Sequence, residues 1–299
     1  MTQVVHGTRP ANSYAPTSPC GRGCLPRHAT LPRVALPVRV WRVLALVTVL
    51  GAGIGVAVVV PFLRPGGRDR AVRAWFRAVV AATGVRLTVT GATSAESRGR
   101  WAFSGGGPAL VASNHLSWLD IPALLAVQPM RVLAKSEVRG WPVIGFLATR
   151  AGTLFIDRRR LRRLPQTVAE IATGLRGGDT VLVFPEGSTW CGRTEGRFRP
   201  ATMQSAIDAS APVRPISLRY RLADGTPTTV AAWVGTDTLL ASVWRIAGTR
   251  GLTAHVDVGP LVETIGRTRR EVAAAAMRAN RRPSPAPLLS SAAHRPYGR

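Results

Sequence analysis

Lysine is almost missing from this sequence: of its 40 basic residues only Lys135 is a lysine, and the rest are arginine. Acidic residues are scarce as well, 15 against those 40, which leaves a formal charge of +25. Such a chain does not repel anionic surfaces; its field draws in acidic lipid, acidic substrates or nucleic acid. Part of the arginine excess, with the abundant Ala, Gly and Val, looks like the mark of a GC-rich genome. The arginines are scattered rather than gathered on one element and no nucleic-acid motif is present, so no nucleic-acid partner is expected. Cysteine is also rare. Cys20 and Cys24 lie in a proline-rich stretch and Cys191 stands alone, so neither a disulfide framework nor a metal-ligand set is expected, and a reducing compartment is the default.

Residues 1–37 are rich in Pro, Thr, Ser and Arg without hydrophobic periodicity and read as a disordered tail; residues 281–299, with four prolines, read the same way. The start lacks the short basic stretch of a cleavable signal peptide. Residues 38–84 read as an anchoring unit. Within it, residues 43–63 carry no charge, and about 20 apolar residues span a hydrocarbon core as a helix; the Gly51-Ala-Gly-Ile-Gly55 centre equally permits close helix packing or a re-entrant bend. Arginines flank both ends, so the positive-inside rule leaves orientation open. Over 70–83, apolar residues at 72, 75, 76, 79 and 80 follow helical spacing. That segment reads either as an amphipathic helix at a membrane surface or as a helix packed on the globular domain.

From about residue 85 to 280 the pattern becomes α/β. Short β-branched runs at 86–90, 109–112, 132–134, 153–156, 180–184, 213–220, 228–232 and 254–258 alternate with helical stretches such as 162–176 and 202–209. This alternation predicts a mixed, mostly parallel sheet flanked by helices.

Asn114-His115-Leu-Ser117-Trp-Leu-Asp120 follows an apolar run, placing His115 at a strand end, where α/β sites usually form. An imidazole with a reference pKa near ~6.5 can accept a proton from an alcohol at neutral pH. A carboxylate on its far nitrogen would fix the tautomer and stabilise the imidazolium. Taken alone, the same spacing also describes a histidine beside a solvated, helix-capping aspartate. Arg158 follows another strand and offers a guanidinium suited to bidentate phosphate contacts, although Arg158-Arg-Arg also reads as a solvated basic run. Phe184-Pro-Glu186-Gly187-Ser188 leaves a third strand. Gly187 permits a tight turn or a close ligand approach, backbone N–H groups there could meet a phosphate or an oxyanion, and an ordinary turn would have the same composition.

Taken together these blocks resemble the glycerolipid acyltransferase family, which includes 1-acylglycerol-3-phosphate acyltransferases. Its four ordered blocks have counterparts here: NHxxxxD at Asn114 to Asp120; GxxFIxR at Gly152-Thr-Leu-Phe-Ile-Asp-Arg158; FPEGT at Phe184 to Ser188, with Ser for Thr; and the proline-bearing strand Pro212-Val-Arg-Pro215-Ile-Ser. Lys135-Ser-Glu137, Pro142 and Gly145 match the connecting pattern, and the likeness covers about residues 75–260. It implies a glycerol-3-phosphate acyltransferase-like fold. It implies His115 and Asp120 as catalytic residues, and Asn114, Lys135, Arg158, Glu186, Gly187 and Ser188 as substrate-binding residues, with Glu186 ordering acceptor hydroxyls or the arginines. Arg193, Arg197 and Arg199 read as a phosphate-binding loop or a solvated lid.

The activity implied is transfer of an acyl group from acyl-CoA or acyl carrier protein to the hydroxyl of 1-acylglycerol-3-phosphate. No cofactor or metal is expected beyond that co-substrate. Membrane phospholipids would be partners, and the active site would face the cytoplasm at the cell membrane. The stretch from Phe184 to Tyr220 also looks like the branch acting on lyso-ornithine lipid. A non-catalytic, basic lipid-binding protein is the alternative of another class. Ser117 and Ser188 suggest a hydrolase, but no G-x-S-x-G elbow is present. Cys191 shows no partner base nearby in sequence.

Overall fold

The computed structural model describes residues 16–26, 31–91, 107–158 and 160–281. Seven strands form one sheet: β1 (Arg86–Gly91), β2 (Leu110–Ser113), β3 (Arg131–Lys135), β4 (Leu154–Ile156), β5 (Val181–Val183), β6 (Val213–Arg221) and β7 (Thr253–Val258). Their order is β1-β7-β6-β2-β5-β3-β4. β6, β2, β5, β3 and β4 run parallel to one another, β7 is antiparallel to β6, and β1 is parallel to β7. The fold is therefore the mixed, mostly parallel sheet that the alternating pattern predicts.

The centre of the sheet explains its own composition. Every residue of β2 and β5 is buried, because helices cover both faces of a parallel sheet and the strands must be apolar throughout. One face packs Leu119, Leu124, Ile246 and Leu252 against Val111, Leu182 and Leu218. The other packs Ile171, Leu175, Met203 and Val272 against Leu110, Val181 and Val213. The helices doing so are α3 (Asp120–Leu125), α5 (Leu164–Arg176), α6 (Met203–Asp208), α7 (Leu239–Ala247) and α8 (Arg269–Arg281), and α4 (Ile144–Arg150) lies between β3 and β4 in the chain.

The run at 228–232 is buried but is not a strand. Ala232 N–H closes a turn on Thr229 O, and the carbonyls of Val230 and Ala232 accept from the Arg245 guanidinium. Arg245, itself paired with buried Asp237 at 2.6 Å, supplies the donors that a neighbouring strand would have provided. β-Branched composition alone does not distinguish the two solutions.

α1 (Leu36–Val59) is the apolar segment; with the short turn after it, an apolar stretch runs from Leu36 to Phe62. At 1.5 Å per residue its 24 residues extend about 36 Å. Leu36, Trp41, Leu44, Val47 and Phe62 are more than half exposed. α2 (Pro65–Ala82) returns alongside it, the Trp75 indole N–H donating to Val49 O at 2.8 Å. Its far end enters the domain, with Val79 and Val80 buried and Arg77 donating to Ala126 O. The end of the 70–83 segment thus packs on the globular domain. Arg42 ties the start of α1 to the end of α7, donating to Ala247 O and Thr249 O, the region where helix carbonyls lack partners. Gly84, at φ +77°, makes room for that guanidinium, because a Cβ there would lie 2.1 Å from its carbon.

Residues 16–26 and 31–37 depart from the expected tail. Cys20 is buried, Cys24 O accepts from the Thr229 hydroxyl, and α1 has already begun at Leu36. Cys191, read as solitary, meets Cys20 and Cys24 in a small buried cluster with Ala232 and Val234. The remaining parts of the two expected tails, 1–15, 27–30 and 282–299, lie outside the described residues.

Candidate active site

β2 ends at Ser113, and the chain turns outward through Asn114 and His115 before α3 begins at Asp120. The turn exists because Asp120 organises it. Its Oδ2 accepts the N–H groups of Leu116 at 2.6 Å and Ser117 at 2.8 Å, and the His115 Nδ1 at 2.9 Å. Its Oδ1 accepts the Tyr220 hydroxyl at 2.8 Å. A carboxylate can only accept, so His115 carries a proton on Nδ1, and in the neutral ring the lone pair lies on Nε2. Asp120 is wholly buried, while the His115 side chain is 17% exposed. The imidazole is therefore open to a ligand, and the aspartate behind it is not.

The imidazole is held on its face as well. Phe184, immediately after β5, stacks on it with ring centroids 4.0 Å apart and planes inclined by 18°. Glu186 takes the main chain: Oε2 accepts His115 N–H at 2.7 Å and Oε1 accepts Gly196 N–H at 2.8 Å. Burial pushes its pKa up to about 7, against those two N–H bonds, which pull it down. Glu186 was expected to order acceptor hydroxyls or arginines; instead both of its oxygens serve the backbone.

Asn114 also differs from its expected substrate-binding place. It is buried and reciprocally bonded to Leu218, donating to its carbonyl at 2.9 Å and accepting its N–H at 2.8 Å. That bracket fixes the strand end from which His115 projects. Gly187, at φ +74°, closes a turn with its N–H on Phe184 O, so that N–H is not free for an oxyanion. Arg158, after β4, donates to Gly187 O; burial lowers its pKa and the charge of Glu137 opposes that. Ser188 is half-buried on the same turn, and Lys135 is exposed at the end of β3. β3 and β4 are paired neighbours, with Lys135 opposite Ile156, so the Lys135 and Arg158 backbones belong to one sheet edge.

Ser117 is fully buried and its Oγ accepts Leu119 N–H, which removes it as a nucleophile. Arg193, Arg197 and Arg199 are exposed. Tyr220 and Phe184 are the two site residues that spacing did not single out. Tyr220 lies 100 residues from Asp120, and its burial and the charge on Asp120 hold its phenol well above the ordinary range.

Residues 86–219 match the model of the Acyltransferase family. The chain is 36% identical over 259 residues to the lyso-ornithine lipid O-acyltransferase of Pseudomonas aeruginosa, covering 84% of this chain and 94% of that protein. It is 39% identical over 195 residues to the 1-acyl-sn-glycerol-3-phosphate acyltransferase of Neisseria meningitidis, 64% of this chain and 72% of that one. The crystal structure of the 1-acyl-sn-glycerophosphate acyltransferase PlsC from Thermotoga maritima has the same fold, with a TM-score of 0.56 at 18% identity over 84% of this chain and 98% of that one.

Proposed function

The chain belongs to the acyltransferase family and is an O-acyltransferase, and from that premise we propose that it transfers a fatty acyl group from a thioester, acyl-CoA or acyl carrier protein, to the free hydroxyl of 1-acylglycerol-3-phosphate. The observation that carries this reading is the His115–Asp120 pair, with Nδ1 committed to a buried carboxylate and the partly exposed imidazole open to a ligand. Nε2 takes the acceptor's hydroxyl proton as its oxygen attacks the thioester carbon. The tetrahedral intermediate then expels the thiolate, which recovers the proton from the imidazolium. Asp120 stays ionised throughout and stabilises that cation. No acyl-enzyme is needed.

Arg158 supports a phosphate-bearing acceptor, since a half-buried guanidinium beside the Gly187 turn is costly to desolvate unless an anion meets it. The exposed apolar face of α1 supports a membrane seat, with the site on the cytoplasmic side, where acyl thioesters are available. A second reading has its own support: the relative matched over 94% of its length acts, by its name, on lyso-ornithine lipid. An acceptor panel of 1-acylglycerol-3-phosphate, other lysophospholipids and lyso-ornithine lipid, with each thioester, separates the two. His115→Ala in purified membranes is expected to lower transfer about 10³-fold; undiminished transfer refutes the assignment.

A further inference from the structure

All three cysteines of the chain converge on one point. Their sulfur atoms lie within 4.8 Å of one another, although Cys191 is far in sequence from Cys20 and Cys24. Two local structures bring them there. A single 3-10 turn, Arg22–Cys24, with Cys24 N–H on Gly21 O, folds Cys24 back towards Cys20. On the other side, Cys191 begins a bend over 192–194 that brings the Thr194 side chain back towards its sulfur. The Thr194 hydroxyl is 3.4 Å from the Cys20 sulfur and 3.7 Å from that of Cys191. Cys20 and Cys191 are buried and Cys24 is half-buried, with Ala232, Val234, Leu25 and Trp190 packed against them.

We propose that Cys20, Cys24 and Cys191 bind one thiophilic divalent cation of the zinc class, the fourth position lying beside Thr194 and filled by its hydroxyl or by water. Zinc–thiolate bonds of about 2.3 Å in a tetrahedron put sulfurs about 3.8 Å apart, so a closure of no more than about 1 Å completes the site. Three sulfurs meeting, rather than two, favours a cation over a disulfide, which would leave one thiol over. The Thr194 hydroxyl, within hydrogen-bond reach of two of the sulfurs, is the kind of partner that orients metal-bound thiolates. Three thiolates and a divalent ion sum to one negative charge, which Arg22 and Arg193 in the same two segments offset. Binding releases the three thiol protons to solvent.

The ion would fasten residues 16–26 to the loop that carries His115's support. Trp190 N–H, one residue before Cys191, donates to His115 O at 2.8 Å, and Gly196 N–H holds Glu186. Pro16, in the same N-terminal segment, sits over Gly187. The site therefore acts by positioning; it does not touch the reacting atoms.

The test uses the full chain in detergent, loaded with zinc and then dialysed, with metal content measured by mass spectrometry. About one equivalent per chain is expected, and a large loss in each of Cys20→Ser, Cys24→Ser and Cys191→Ser. Cobalt loading of the unaltered chain is expected to give the visible bands of a tetrahedral thiolate complex, a readout independent of how the variants fold. Zinc retention no greater than in the triple serine variant, an octahedral cobalt spectrum, or a mass showing two thiols joined as a disulfide in the reduced preparation would each overturn the proposal.

Discussion

Asp120 and Glu186 are both buried carboxylates within hydrogen-bonding reach of His115, yet one meets its imidazole and the other its peptide N–H. Asp120 stands at the head of α3 with four donors around it; Glu186 stands in the turn after β5 with two. The first defines the state of the ring and the second defines where the residue is. On the proposed mechanism a general base needs both, because proton transfer depends on tautomer as well as on placement within hydrogen-bond reach. Burial pushes Glu186 towards neutrality near pH 7, which eases the placing of two carboxyls beside one residue.

Three substitutions test that division, in order of expected effect. Asp120→Asn keeps the arrangement, since its amide oxygen can take the place of Oδ2 and its NH2 can face a reoriented Tyr220 hydroxyl, but it removes the charge. A fall in kcat of about 10²-fold is expected, because the imidazolium formed in the transition state loses its counter-charge. A loss below tenfold would mean that Asp120 serves geometry alone. Glu186→Gln turns an NH2 towards one of two N–H donors, and a loss of about tenfold in kcat is expected. Its second signature lies in stability. A carboxyl raised to about 7 in the folded chain contributes stability that is present below its unfolded value near 4.5 and lost as pH rises through about 7. The melting temperature of the unaltered chain should therefore decline between pH 5 and 8, and the glutamine variant should flatten that decline. Tyr220→Phe leaves Oδ1 of Asp120 without its donor. About 1–3 kcal/mol of stability is expected to be lost in denaturant titration, with less than a tenfold effect on rate.

Seven of the eight expected strands are strands, because a buried parallel sheet demands runs of β-branched residues and those runs are visible in one dimension. The exception, 228–232, depends on Arg245, a residue more than a dozen positions on, whose direction no period encodes. The short helices α3 and α4 have too few turns to show a helical period. At the site, the meeting of His115 with Asp120 was legible from spacing joined to the family resemblance, and Arg158 was marked by the resemblance rather than by residue type, since its own run also reads as solvated. Asn114 and Glu186 were legible as positions only: both look like ligand-binding side chains, and both turn inward to hold main chain. Tyr220 and the meeting of the three cysteines depend on long-range closure, which nothing local announces.

The Arg42 clamp sets a height. Its guanidinium lies over Gly84 and on the last carbonyls of α7, so α1 cannot slide along its own axis without breaking those bonds. On the proposed membrane seating, the distance between lipid and imidazole is then a property of the protein and not of the bilayer. Each residue added to or removed from α1 between Arg42 and Val59 would change the helix's reach by about 1.5 Å while leaving the site where it is. The chain would carry its own depth gauge, read from one arginine.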